Sequence, residues 1–199
     1  MACYLRRLHS VALVVGQTCA MDRPPTKTLW LLRHATAEEN PPPGGDDRDR
    51  MLSPAGIAQA ETLGAAIVAG EVIGEAPECV LVSPASRTRG TAMLVFSGLG
   101  AACGFSVDQR IYPAAPDDLL ALLAEQDDEL SCLGIVGHNP AIAWFGIELV
   151  DESNLPEGHP ARGDHPPATL AVIELPVARW ADVAFGEGAL LEYRLTPVD

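Results

Sequence analysis

Two histidines and two arginines stand where this chain could do chemistry. Arg33 and His34 follow the apolar run "TLWLL" directly, Arg87 closes "SPASR" after the run "CVLV", and His138 lies in "GHNP" after the run "CLGIV". A planar guanidinium holds a phosphate or carboxylate through paired hydrogen bonds. A neutral imidazole can attack phosphorus in line and carry the phosphoryl group as a covalent intermediate that water later releases. Phosphoryl transfer asks a protein mainly for positioning and charge neutralisation, and two cations beside two imidazoles offer both. Arg87 carries a further hint. A cation at a helix start opposes the helix dipole, so its placement calls for an anion.

The elements that must position these residues read as alternating strands and helices. Buried strands are expected at 28–32, 79–82 and 132–136. Helices are expected in "SPAGIAQAETLGAAIVAG", with Ser53 as N-cap, Pro54 in the first turn and Gly70 as the stop, in "SRTRGTAMLVFSGLG", in "PDDLLALLAEQ", and in "PAIAWFGIELV" led by Pro140. Ile57, Ala60, Leu63, Ala66 and Ile67 share one face of the first helix. Two more strands are read in "TLAVIEL" and "LLEYRL", the second at a sheet edge. Residues 40–50 read as a surface loop and 151–168 as a long Pro/Gly-rich loop. Such alternation implies an α/β fold with a mostly parallel sheet covered by helices on both faces, with ligands at the carboxyl ends of its strands.

Composition narrows the partners. The 199 residues carry 27 acidic against 13 basic side chains, a formal net charge of -14. That balance argues against nucleic acid and against an anionic membrane surface. Lys27 is the sole lysine among those cations. Five cysteines without a CxxC point to neither a disulfide framework nor a zinc site, so a cytoplasmic location is expected; Cys79 and Cys132 read as small core residues. His159 and His165 have no standard metal spacing. Residues 1–26 read as an N-terminal extension, either a mis-assigned start or a weak signal-like segment, before a single domain over 27–199.

Taken together, "LLRHATAEE", "DRDRMLSPAGIAQA", "VSPASRTRGTA" and "VGHNP" resemble, in order and spacing, the motifs of the histidine phosphatase superfamily. "IYPAAPDDLLALL", "GHNP" and the Trp180–Asp182 "WAD" are similar to its SixA-type phosphohistidine phosphatases. The resemblance implies a phosphoglycerate-mutase-like three-layer α/β/α sandwich. It also implies a metal-independent phosphatase without a cofactor, with His34 as the phosphorylated nucleophile, Arg33 and Arg87 as phosphate-holding arginines and His138 as the second histidine at the transition state. Arg50 and Asn139 are added as candidate substrate contacts, although Arg50 and Arg89 taken alone read as surface cations. Ala35 stands where the signature usually has Gly. No insert supplies a glutamate acid, and Glu38, Glu39 and Asp117 are the candidates for that role. Without a strong acid an alkyl alkoxide leaves badly, whereas imidazole leaves well. The expected substrate is therefore phosphohistidine on a protein such as a phosphotransfer domain. A small phosphorylated metabolite, or mere phosphate binding without turnover, are the alternatives. Trp144 and Phe145 are expected in the core.

Overall fold

A computed structural model describes residues 25–197. The reading of 1–26 as an extension therefore lies almost wholly outside the described residues, with Cys3 and Cys19. The elements run β1 (Lys27–Arg33), α1 (Pro54–Val68), β2 (Cys79–Val82), α2 (Ser86–Phe96), β3 (Gly104–Val107), α3 (Pro116–Ala124), β4 (Cys132–Gly137), α4 (Ala141–Leu149), β5 (Leu170–Leu175) and β6 (Ala189–Arg194). They form one sheet in the order β3-β2-β4-β1-β5-β6. The pairs β1–β4, β2–β4 and β2–β3 are parallel, and β5 runs antiparallel to both β1 and β6.

Strand periodicity explains the three layers. Successive side chains leave opposite faces of a strand. Leu29, Leu31, Leu133, Ile135 and Ile173 pack with Leu119, Leu122, Ile142 and Phe145 of α3 and α4. Trp30, Leu32, Val80, Val136 and Val172 pack with Ala60, Leu63, Val95 and Phe96 of α1 and α2 on the other side. The central strands are apolar on both faces because both faces are covered. Lys27 is part of this frame: its buried ammonium donates to the Leu130 carbonyl at 2.9 Å.

Helix α1 begins as expected, with Ser53 Oγ accepting from Gly56 N and Pro54 in the first turn. Gly70 follows its end with φ 71°. Gly56 meets a tighter demand. A Cβ there would lie 1.9 Å from the Thr36 carbonyl oxygen, two residues past His34. Helix α1 can approach the end of β1 only without a side chain at 56. Gly56→Ala should cost about 1–3 kcal/mol of stability through overpacking, read as a lowered urea midpoint; an unchanged midpoint would mean that the contact is soft.

Several expectations need correction. Strand β3 is not among the expected strands; it is four residues long and exposed throughout, so no buried apolar run announces it. Trp144 is 55% exposed, because α4 buries Ala141, Ile142, Phe145 and Leu149 and position 144 falls off that stripe. Ile57 likewise lies off the buried face of α1, which is built on Gly56, Gln59, Ala60 and Leu63. Cys79 is half-buried beside the core, whereas Cys132 is buried. Helix α2 stops at Phe96 and continues as a 3-10 turn.

Candidate active site

The parallel register brings the predicted residues to one rim. Arg33 pairs with Gly137 across β1 and β4, and Val82 pairs with Val136 across β2 and β4. The residues that follow these strands therefore emerge side by side. The His34 and His138 rings meet edge to face with centroids 5.2 Å apart. Arg33, Arg87 and Arg50 all lie close enough to disfavour a charge on His34.

His34 has one nitrogen committed and one open. Its Nδ1 lies 2.8 Å from the Ala35 carbonyl oxygen, which can only accept, so Nδ1 carries the proton and Nε2 keeps its lone pair. Burial, reinforced by the three guanidinium groups and opposed by the Ala35 bond, lowers its pKa to about 4. The ring is thus neutral near pH 7. His138 is lowered to about 3, first by burial and then by His34 and Arg87. Its Nε2 lies 2.8 Å from Ser83 Oγ, so the last residue before the α2 turn fixes its ring.

The arginines are held from behind. Arg33 donates through one terminal nitrogen to the His165 carbonyl, which also accepts from Asn139 Nδ2 at 2.9 Å. The 151–168 loop thus supplies a backbone anchor for two rim residues. The His165 ring itself is only 1% exposed and packs edge to face on Tyr193, as does the His159 ring. Among the described residues no three His, Cys, Asp or Glu side chains gather to hold a metal. Thr91 Oγ1 accepts from Ala35 N at 3.0 Å and donates to the Arg87 carbonyl at 2.7 Å, tying the nucleophile's turn to α2. Thr88 Oγ1 bonds the Ser83 and Ala85 carbonyls, closing the strand-to-helix turn that aims Arg87.

The anion that Arg87 calls for is Asp47, which sequence reasoning missed. Arg87, 6% exposed, donates one terminal nitrogen to the Asp47 carbonyl and the other, at 2.9 Å, to Asp47 Oδ2. Arg50 donates to Asp47 Oδ1 at 3.0 Å and to the Glu38 carbonyl at 2.7 Å. Tyr112 Oη donates to Asp47 Oδ2 at 2.6 Å, while its ring stands edge-on to His138 and lies under the Arg48 guanidinium. These donors, Tyr112 first, hold the Asp47 carboxyl far below its ordinary range. Asp47 sits among Asp46 and Asp49 in a polar run, so nothing in its own sequence singles it out. Tyr112 had a signal, the "IYPA" run, but no role attached to it. Arg89 is exposed, as a surface cation should be.

Comparison with known proteins agrees with this arrangement. The family described as histidine phosphatase superfamily (branch 1) matches residues 29–111. An uncharacterized protein of Mycobacterium tuberculosis strain H37Rv is 32% identical over 165 residues, 82% of this chain and 99% of that protein. A structure provisionally assigned as phosphohistidine phosphatase SixA from Nakamurella multipartitia superposes with a TM-score of 0.72 at 29% identity, covering 88% of this chain and 99% of that one. One with the same provisional assignment from Agrobacterium tumefaciens superposes with a TM-score of 0.67 at 25% identity, covering 85% and 97%. The ordered motifs, the phosphoglycerate-mutase-like sheet and these relatives agree: the chain belongs to the histidine phosphatase superfamily and is of the SixA type.

Proposed function

We propose that this phosphatase hydrolyses phosphohistidine on a protein, through a phosphorylated His34 and without a metal. The observation that carries the reading is the His34 tautomer, with Nδ1–H on the Ala35 carbonyl and Nε2 open. Arg33 and Arg87 clamp the phosphoryl oxygens, and Arg50 and Asn139 stand at the margin of the cradle. The Nε2 lone pair attacks phosphorus in line. The P–N bond of the substrate breaks with its electron pair returning to that nitrogen. A substrate imidazole protonated on its other nitrogen leaves neutral. His34, keeping its Nδ1 proton, becomes a cationic phosphoimidazolium. Water then attacks phosphorus, the P–Nε2 bond breaks, and both water protons leave with the phosphate. His138, its ring steadied by Ser83 and set against His34, closes the other side of the phosphoryl site.

Both steps exchange a P–N bond with a neutral imidazole as leaving group, so neither needs a strong acid. Loss of an alkyl alkoxide does need one. The carboxylate at this rim, Asp47, is held ionised by Tyr112, Arg50 and Arg87 and is poorly placed to lend a proton. Proton donation to a leaving group contributes roughly 10²–10⁴-fold. Turnover of a phosphorylated phosphotransfer domain, measured in EDTA, should exceed that of a sugar phosphate by about 100-fold or more in kcat/KM. Faster turnover of the sugar phosphate would sink the P–N reading in favour of a small-molecule phosphatase. The location that fits such a partner is the cytoplasm; among the described residues no helix is long and apolar enough to cross a membrane.

A further inference from the structure

Asp47 sits on the donors that a phosphoryl group needs. Both terminal nitrogens of Arg87, one of Arg50 and the hydroxyl of Tyr112 are directed at this single residue. Arg87 is buried, and its guanidinium cannot turn away to serve a second anion freely. Asp47 by contrast is half exposed, with its side chain at 51% of full accessibility, and rides on a short 3-10 turn in the exposed 40–50 loop. That turn has its own cap. Asp46 accepts from Arg48 N at 2.8 Å, and Asp49 accepts from Asp46 N at 2.9 Å. The turn thus keeps its shape with or without the Asp47 carboxylate. The ties from residues 46–49 to α2 and to the segment after β3 run through Asp47 and through the Arg48 stack on Tyr112.

We propose that Asp47 is an internal competitor for the phosphate cradle, a carboxylate that latches the 40–50 loop across Arg87, Arg50 and Tyr112 and sets the affinity an incoming anion must reach. This rests on the reading that Arg33 and Arg87 hold the phosphoryl group. A monoanion gains little by replacing one carboxylate with another charge of the same size. A phosphoryl dianion that also reaches Arg33 adds a third cation to Arg87 and Arg50 and displaces the latch. The residue therefore favours terminal phosphoryl groups over singly charged anions and diesters. The cost to a true ligand is the fraction of molecules that stand unlatched: apparent affinity falls by that fraction.

The test is calorimetric binding of inorganic phosphate to the full chain and to Asp47→Asn, with steady-state kinetics on an aryl phosphate. Asp47→Asn should bind phosphate about tenfold more tightly, with KM falling in proportion, if about a tenth of the wild type stands unlatched. Amide hydrogen exchange in 44–50 should quicken when phosphate is added to the wild type. Weaker phosphate binding by Asp47→Asn would overturn the proposal and make Asp47 a positioning residue for Arg87. Unchanged binding, or no phosphate binding by either protein, would overturn it as well. Tighter binding without turnover of any phosphorylated substrate would leave the latch standing and remove the catalytic reading instead.

Discussion

Replacing His34 with alanine is expected to remove turnover on phosphohistidine and aryl phosphates alike, by about ten-thousandfold or more in kcat, the scale on which enzymes lose activity with their nucleophile. The geometry makes the loss specific. His34 is wedged between the Ala35 carbonyl and the His138 ring, with Nε2 the only atom of the pair free to attack from this side of the clamp. His138 cannot stand in, because its Nε2 is engaged by Ser83 at 2.8 Å. The clamp itself survives the change. Arg33 is anchored on the His165 carbonyl, and Arg87 is buried at the start of α2 on a turn closed by Thr88, so phosphate should still bind to His34→Ala within a few-fold of wild type. Brief reaction of the wild type with a labelled substrate followed by denaturation should leave an acid-labile, alkali-stable phosphoryl group on the chain, absent from the variant. Residual activity within tenfold of wild type would place the nucleophile elsewhere. A wild type that binds phosphate yet turns over nothing would make this a binding module.

The strand-end chemistry was legible because parallel strands deliver their carboxyl ends to one rim, whatever the details of packing. Arg33, His34, Arg87 and His138 each follow an apolar run, and the runs announce the strands. The anchors were not legible. The His165 carbonyl holds Arg33 and Asn139, but a backbone carbonyl has no residue signature. Asp47 hides among acidic neighbours in a loop whose course depends on Arg87 and Tyr112, distant in sequence. Even so, the sequence did pose the right question at Arg87: a cation at a helix start needs an anion, and Asp47 is that anion in the free protein. Trp144 and β3 fail for a different reason. Local apolarity reads as burial at Trp144, whereas the buried stripe of α4 decides it, and β3 is an exposed four-residue edge strand with no buried run to announce it.

The same neutral imidazoles that serve phosphoryl transfer should make the protein acid-sensitive. His34 and His165 have folded pKa values of about 4 and His138 of about 3, against an unfolded value of 6.5, with burial the leading cause in each. The folded values lie below the unfolded one, so the unfolded chain takes up protons first as pH falls. The stability tied to these groups is complete above pH 6.5 and is lost as pH drops through the window from 6.5 toward 4 and 3. Each unit of separation is worth about 1.4 kcal/mol. Between pH 7.5 and pH 5 a single such histidine would cost about 2 kcal/mol. His34 and His138 face each other and do not titrate independently; that pair together should lose on the order of 4 kcal/mol, and His165 adds its own share. Asp47 adds nothing between pH 7.5 and pH 5, because the stability tied to its lowered folded pKa is lost only as pH falls below the unfolded value of 3.8. Urea unfolding at the two pH values measures the loss, and His165→Leu isolates one share. It removes a buried ring that contacts Tyr193 and lies beside Gly146, with no charge lost at pH 7.5. The variant should lose less stability on acidification than the wild type, by about 2 kcal/mol. If the wild-type midpoint does not move between pH 7.5 and pH 5, the folded and unfolded imidazoles take up protons alike and the acid sensitivity is disproved. His34 would then be charged at pH 5 and neutral at pH 7.5, so turnover that survives at pH 7.5 and fails by pH 5 would accompany that result.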